Sequence, residues 1–197
     1  MCCHLETSDI INICIALATF LAAVIALFGE HWRKCLFQPK LTLKMKDELG
    51  ELNKTVEGID ARYFHIVVAN KTKESAHNAC VLLTQLDESY EGNRRTLWKG
   101  EIPLKWMYHK VYHTFVRDIG SPQKCDLFML TQKSLAIQVL FETGNLRTVW
   151  EKCDLYLMLS VKSDELMSKP ITVRVIWDGK WSTDDGEMAK HLTVKQI

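Results

Sequence analysis

The chain has 197 residues, 47% of them hydrophobic and 25% charged, which is the composition of one folded domain with something added. A net charge of +1 excludes a global attraction to nucleic acid, so no nucleic-acid polymer is expected as a partner. The seven cysteines are scattered, form no C-x-x-C and include one inside an apolar run, which excludes both a disulfide framework and a zinc ribbon.

The N-terminal tail, residues 1–9, is acidic through Glu6 and Asp9 and holds no Lys or Arg. From Ile10 to Gly29 no charge interrupts the chain, and Asn12 and Thr19 are its only clearly polar residues. A helix of about 20 residues spans roughly 30 Å, the thickness of a bilayer's hydrocarbon core. A signal peptide begins with basic residues and has a shorter apolar run. Residues 10–30 are therefore expected to be a retained transmembrane helix, anchored in the lipid bilayer by Ile10, Phe20 and Phe28, with Trp32 at the interface. Arg33, Lys34, Lys40, Lys44 and Lys46 follow the span, so the basic side, and the domain behind it, is expected in the cytoplasm at the inner membrane. Ala22 and Ala26 are spaced for close helix approach, which leaves a homo-oligomer through this helix open.

Residues 31–39 read as a juxtamembrane linker and 40–197 as a sandwich domain. KLTLKMKD alternates, with Leu41, Leu43 and Met45 on one side and lysines on the other, so it reads as a half-buried strand. ELGELNKTVEGIDA reads as a loop or short helix. RYFHIVVAN and ACVLLTQLDE read as strands, separated and closed by turn-like NKTKESAHN and SYEGNRR. Residues 96–120 are broken by Gly100, Pro103 and Gly120 and suggest short edge strands and loops. SPQKCDLFMLTQ, SLAIQVLFE, CDLYLMLSVKS and ITVRVIW are further strands, with Thr172 and Arg174 on the outward side of the last. Asp178-Gly179 carries the strongest hairpin signal. Ser182 or Asp184 is placed to cap a short helical turn before a last strand, LTVKQI. Many short strands without a long helical period outside the first segment indicate an all-β antiparallel sandwich.

RYFHIVVANKTKESAHNACVLLTQL and VRVIWDGKWSTDDGEMAKHLTV resemble the strand pair and closing segment of uncharacterised bacterial single-pass proteins with an immunoglobulin-like β-sandwich. The resemblance implies a cytoplasmic sandwich on a membrane anchor and carries over no catalytic residue.

The chemistry-bearing candidates are sparse. His109 and His113 stand four apart but have no adjacent H-E-x-x-H base, and no metal or cofactor is expected. Cys80, Cys125 and Cys153 lie in apparent strands and read as small buried hydrophobes. No G-x-S-x-G and no phosphate loop is present, so the chain is not expected to be an enzyme. Basic and aromatic residues concentrate at Arg94, Arg95, Trp98, Lys105, Trp106, Tyr108, His109 and Tyr112, a segment suited to binding through charge and stacking. The expectation is a membrane-anchored adaptor or scaffold that holds a protein partner. The alternative is a ligand-gated membrane effector, of the kind used in bacterial defence, whose sandwich senses a nucleotide or other small signal.

Overall fold

A computed structural model of the chain describes residues 7–36, 38–107 and 115–197, which fall in two compact units, Met1–Gln38 and Pro39–Ile197. The first is a helix, α1, at Thr7–Leu36. Its stretch Ile10–Gly29 is long and apolar enough to cross a bilayer, and none of it is buried against protein. Large apolar side chains stand exposed along it, from Ile10 through Phe20 and Leu27 to Phe28 and Trp32, and the Phe28 and Trp32 rings stack at 6.5 Å. Thr19 donates its hydroxyl to the Ile15 carbonyl at 2.8 Å, so that polar group needs no water. The helix continues to Leu36, through residues that read as a linker in the sequence; no proline or glycine stops it between His31 and Leu36.

The second unit is a β-sandwich of two antiparallel sheets. Its strands are β1 (Leu41–Met45), β2 (Glu51–Lys54), β3 (Asp60–Asn70), β4 (Ala76–Tyr90), β5 (Asn93–Pro103), β6 (Arg117–Ile119), β7 (Gln123–Thr131), β8 (Leu135–Ile137), β9 (Val149–Trp150), β10 (Cys153–Lys162), β11 (Ile171–Trp177) and β12 (Leu192–Gln196); a short helix, α2, occupies Asp185–Met188. One sheet runs β1-β3-β7-β8-β9 with β2 also on β3, and the other runs β12-β11-β10-β4-β5 with β6 also on β4. Period-two patterning places the core. Leu155, Leu157 and Leu159 of β10 and Val173 and Val175 of β11 are fully buried, and face Phe64, Ile66 and Val68 of β3. The Phe64 and Phe128 rings stack within it at 4.2 Å.

Several elements differ from the sequence expectation. ELGELNKTVEGIDA contains β2, which forms a hairpin with β3 in the register Glu51↔Tyr63. The broken-looking middle begins with one continuous strand, β5; its Gly100 lies under the Trp98 ring, where a Cβ would come within 2.6 Å of the indole. Beyond Pro103 the chain leaves that sheet: Leu104 donates to the Val81 carbonyl, whereas Lys105 bonds Gln138 and Asp126 on the other sheet. SLAIQVLFE supplies only Leu135–Ile137 as strand. Asp178-Gly179 does not close a hairpin. β11 and β12 pair through Trp177↔Leu192, and residues 178–191 form a longer connection containing α2. Gly179 is required there by its φ of +92° and because a Cβ would sit 3.0 Å from the Glu151 carbonyl. Asp184 caps α2 by accepting from the Glu187 amide, as expected.

That connection is held by a buried guanidinium. Arg62 on β3 is 0% exposed. Its Nε donates to the Ser182 carbonyl, Nη1 to the Leu49 carbonyl and the Asp185 carboxylate (2.7 Å), and Nη2 to the carbonyls of Ser182 and Thr183 (2.9 Å). A guanidinium has five N–H donors, and these contacts engage all of them. At the opposite end of β3, Asn70 accepts from the Lys40 amide and donates to the Ile119 carbonyl, joining β3 to β6 of the other sheet.

Arg62→Met keeps the stem volume and strands the carbonyls that the guanidinium served, so it is expected to cost about 3 kcal/mol in urea denaturation of the detergent-solubilised chain. Asp185 is 73% exposed on its side chain, and Asp185→Asn is expected to cost under about 1 kcal/mol. Equal losses from the two would show that the ion pair, and not the carbonyl cluster, holds the connection.

Candidate functional site

The register sets two ends to the sandwich. Leu41 pairs with Asn70, Ala76 with Ile119 and Lys162 with Cys80 at the end where the chain enters; Cys153 pairs with Trp177, and Tyr90 with Asn93, at the other. An open groove of about 860 Å³ lies at that second end, between the β4–β5 hairpin (Glu88–Glu91) and the segment that leads through β9 into β10 (Arg147–Asp154). The hairpin is tight because its two loop residues, Glu91 and Gly92, both take positive φ (50° and 81°).

Two tryptophans line the groove, each 1% exposed. Trp177 donates its indole N–H to the Lys180 carbonyl at 2.7 Å. Trp150, in the same groove, has a buried indole N–H that finds no acceptor among the described residues. The Arg147 guanidinium lies 5.3 Å from the Trp150 ring centroid and donates through Nε to the Val149 carbonyl. Carboxylates of Glu88, Glu91 and Glu151 and the amine of Lys152 complete a mixed-charge rim. Cys153 also lines the groove, but burial, reinforced by the Asp154 carboxylate, pushes its thiol up to about 12. Burial also raises Cys80, and raises Cys125 much further. All three thiols are buried, in keeping with the reading of these cysteines as small packing groups.

Asp154 joins the groove to the outer face of the sheet. It takes a bidentate pair from Arg174 (3.0 and 2.8 Å), and Arg174 in turn lies 5.0 Å from the Tyr156 ring. Arg94 covers the same ring at 4.1 Å and donates to Asp87 at 2.6 Å. Asp87 is 2% exposed and also accepts from Gln85, so this buried carboxylate is fully served. The plate Arg174–Tyr156–Arg94 thus ties β11, β10 and β5 together across the sheet.

The predicted binding residues do not form one surface. Arg94 and Arg95 stand on β5 beside the groove, Arg94 in the plate and Arg95 exposed across from Glu88. Trp98 is half-buried against the core. Lys105 is exposed. Trp106 is a core residue at 2% exposure; it donates to the Phe115 carbonyl and lies under Arg117, so it offers no stacking face to a partner. Tyr108, His109 and Tyr112, with His113, lie outside the described residues. Among the described residues no three His, Cys, Asp or Glu groups are placed to hold a metal. His65, buried beside Asp126 (2.9 Å) and Glu51 (3.7 Å), belongs to an ion cluster with Lys46 and Lys124 that joins β1, β2, β3 and β7. The sequence reading missed Trp150, Trp177, Tyr156 and Arg174 as site residues. Period two put Tyr156 and Arg174 outward in their strands, which was the available signal; β9 is too short to have one.

Trp→Phe substitutions at the two groove tryptophans remove similar ring area but differ in the hydrogen bond. Trp177→Phe strands the Lys180 carbonyl, whereas Trp150→Phe removes a donor that has no acceptor among the described residues. The first is expected to destabilise by about 1 kcal/mol more than the second in chemical denaturation, and equal losses would contradict the assignment. In the folded chain at about pH 8, a maleimide is expected to leave Cys125 and Cys153 unlabelled. Labelling of either as fast as in urea would refute their burial.

The chain matches no protein-family model, no curated protein and no solved structure.

Proposed function

We propose that this protein is a membrane-anchored binding module, an adaptor that holds a protein partner at the inner face of the membrane. The observation that carries the reading is the joining of two unlike units: a bilayer-length helix with apolar side chains exposed along it, and a separate sandwich with an open groove rimmed by charged side chains. Arg33, Lys34 and Lys40 behind the span support a cytoplasmic sandwich. Lys44 belongs to β1 and Lys46 to the ion cluster around Glu51, so the orientation argument rests on the first three. The run β1-β3-β7 opposite β11-β10-β4-β5 supports an immunoglobulin-type arrangement, in keeping with the resemblance at the two ends of the domain. Such sandwiches commonly bind through the loops at one end. The groove here lies at the end remote from Lys40, where the chain enters.

On this reading the full-length chain stays in the pellet after alkaline carbonate extraction, and a tag after Ile197 is protected from protease in right-side-out vesicles. Release by carbonate, or digestion of the tag from outside, would overturn the anchor or its direction. Glu91 and Lys152 are exposed on the groove rim, so Glu91→Lys with Lys152→Glu leaves the fold intact. That pair is expected to lower recovery of cross-linked partner from membranes about tenfold. Unchanged recovery would remove the groove from the proposal.

A further inference from the structure

We propose that the free edge of β5 takes up an extended acidic segment of the protein partner as an added strand; this rests on the binding-module reading above. Among the described residues, β5 pairs with β4 alone along Asn93–Lys99, so one side of its backbone is without a strand partner. It is the longest edge strand of the sandwich. The other edges are shorter or tied. β9 and β6 hold two and three residues, and β1 is bridged where the Met45 amide donates to the Gln196 side chain of β12.

The hairpin geometry identifies the groups that face outward. Tyr90 and Asn93 flank a two-residue loop and form a hydrogen-bonded pair, so bonded and non-bonded pairs alternate from there. Arg94 (opposite Ser89) and Thr96 (opposite Asp87) are the non-bonded positions, with N–H and C=O directed away from β4. The segment NRRTLWK carries three cations and no anion. Arg94 is engaged by Asp87, whereas Arg95 and Lys99 are exposed and in no ion pair among the described residues. Leu97 and Trp98 are half-buried beside them and present partly apolar surface at the same edge. Strand addition draws affinity from main-chain bonds and specificity from alternate side chains. Across the bulge at Leu97 the register puts Arg95 (opposite Glu88) and Lys99 (opposite Gln85) on opposite faces of the edge, so an added strand meets a cation on each face, which selects carboxylates on both of its faces. A second copy of β5 would bring Arg95 and Lys99 against their like, which disfavours self-pairing.

The test uses the full chain in detergent with two short synthetic peptides, one carrying Glu on both faces of an extended Val-rich strand and one carrying Lys at the same positions. The acidic peptide is expected to slow hydrogen exchange at the Arg94 and Thr96 amides by about tenfold or more, and the basic peptide to leave them unchanged. Thr96→Pro removes an outward N–H without breaking the β4–β5 ladder and is expected to abolish that protection. Should that variant misfold, Arg95→Glu with Lys99→Glu serves instead, and is expected to transfer the preference to the basic peptide. No protection at these two amides, equal protection by both peptides, or protection that appears only as the chain self-associates would each overturn the proposal. Loss of partner recovery on reversing Glu91 and Lys152 would still stand in those cases, so failure of the edge and failure of the binding-module reading are distinguishable.

Discussion

The sandwich depends on one buried cation. Taking a guanidinium out of water costs several kcal/mol unless every donor is met. Arg62 meets that demand with carbonyls drawn from two segments, Leu49 ahead of β2 and Ser182–Thr183 ahead of α2. Asp185 adds a carboxylate, but one that is mostly in water, so the carbonyls supply most of the compensation. The requirement runs both ways. Residues 178–191 cannot collapse into a tight hairpin, because their carbonyls are needed on the far sheet. β3 is pinned in the same manner at its other end, through Asn70 to Ile119. One strand thus carries a polar tie to the opposite sheet at each end, and the apolar core lies between them.

This constraint shapes the groove. With 178–191 drawn toward Arg62, Trp177 turns its N–H onto Lys180 and Gly179 packs against the Glu151 carbonyl. The loop thereby backs the Arg147–Asp154 segment, which forms one wall of the groove, and the β4–β5 hairpin with its positive-φ turn forms the other. Trp150 belongs to the first of these walls, and its N–H meets no acceptor among the described residues. Buried donors without acceptors are uncommon and mark strain or function. This one lines the open groove, next to an arginine that already lies on its ring. The Arg94–Tyr156–Arg174 plate then links the hairpin to β10 and β11, so displacement of the groove wall bears on the outer face of the sheet.

The periodic parts were legible. α1 was visible as an uncharged run, and β1, β10 and β11 as alternating patterns, because each is decided by which face meets apolar surroundings. β2 was hidden because only its pairing with β3 makes it a strand; its burial is slight and all its residues but Leu52 are polar. β5 was hidden by Gly100 and Pro103, which normally punctuate a chain. In the fold, Gly100 is the seat for the Trp98 ring, and Pro103 stands at the point where the chain changes sheets. Asp178-Gly179 misled for the converse reason: its local turn chemistry is real, since Asp178 accepts from the Lys180 amide, but the distant Arg62 decides where the strand returns. Trp106 shows the same limit. Composition alone does not tell a stacking platform from a core indole whose N–H is met by the Phe115 carbonyl.

An anchor changes what such a surface needs to achieve. Under the proposed adaptor role, a partner confined to the same membrane would meet the sandwich at an effective concentration far above its concentration in free solution, and weak contacts would then suffice for occupancy. The available contacts are of that weak kind: a mixed-charge rim with matched and unmatched groups, and a basic strand edge whose cations are solvated. Neither would give tight binding in free solution, where exposed ion pairs contribute little. Their value lies in selection. In the proposed role the rim and the edge would discriminate by charge sign and by strand geometry, while the tether would supply the encounter.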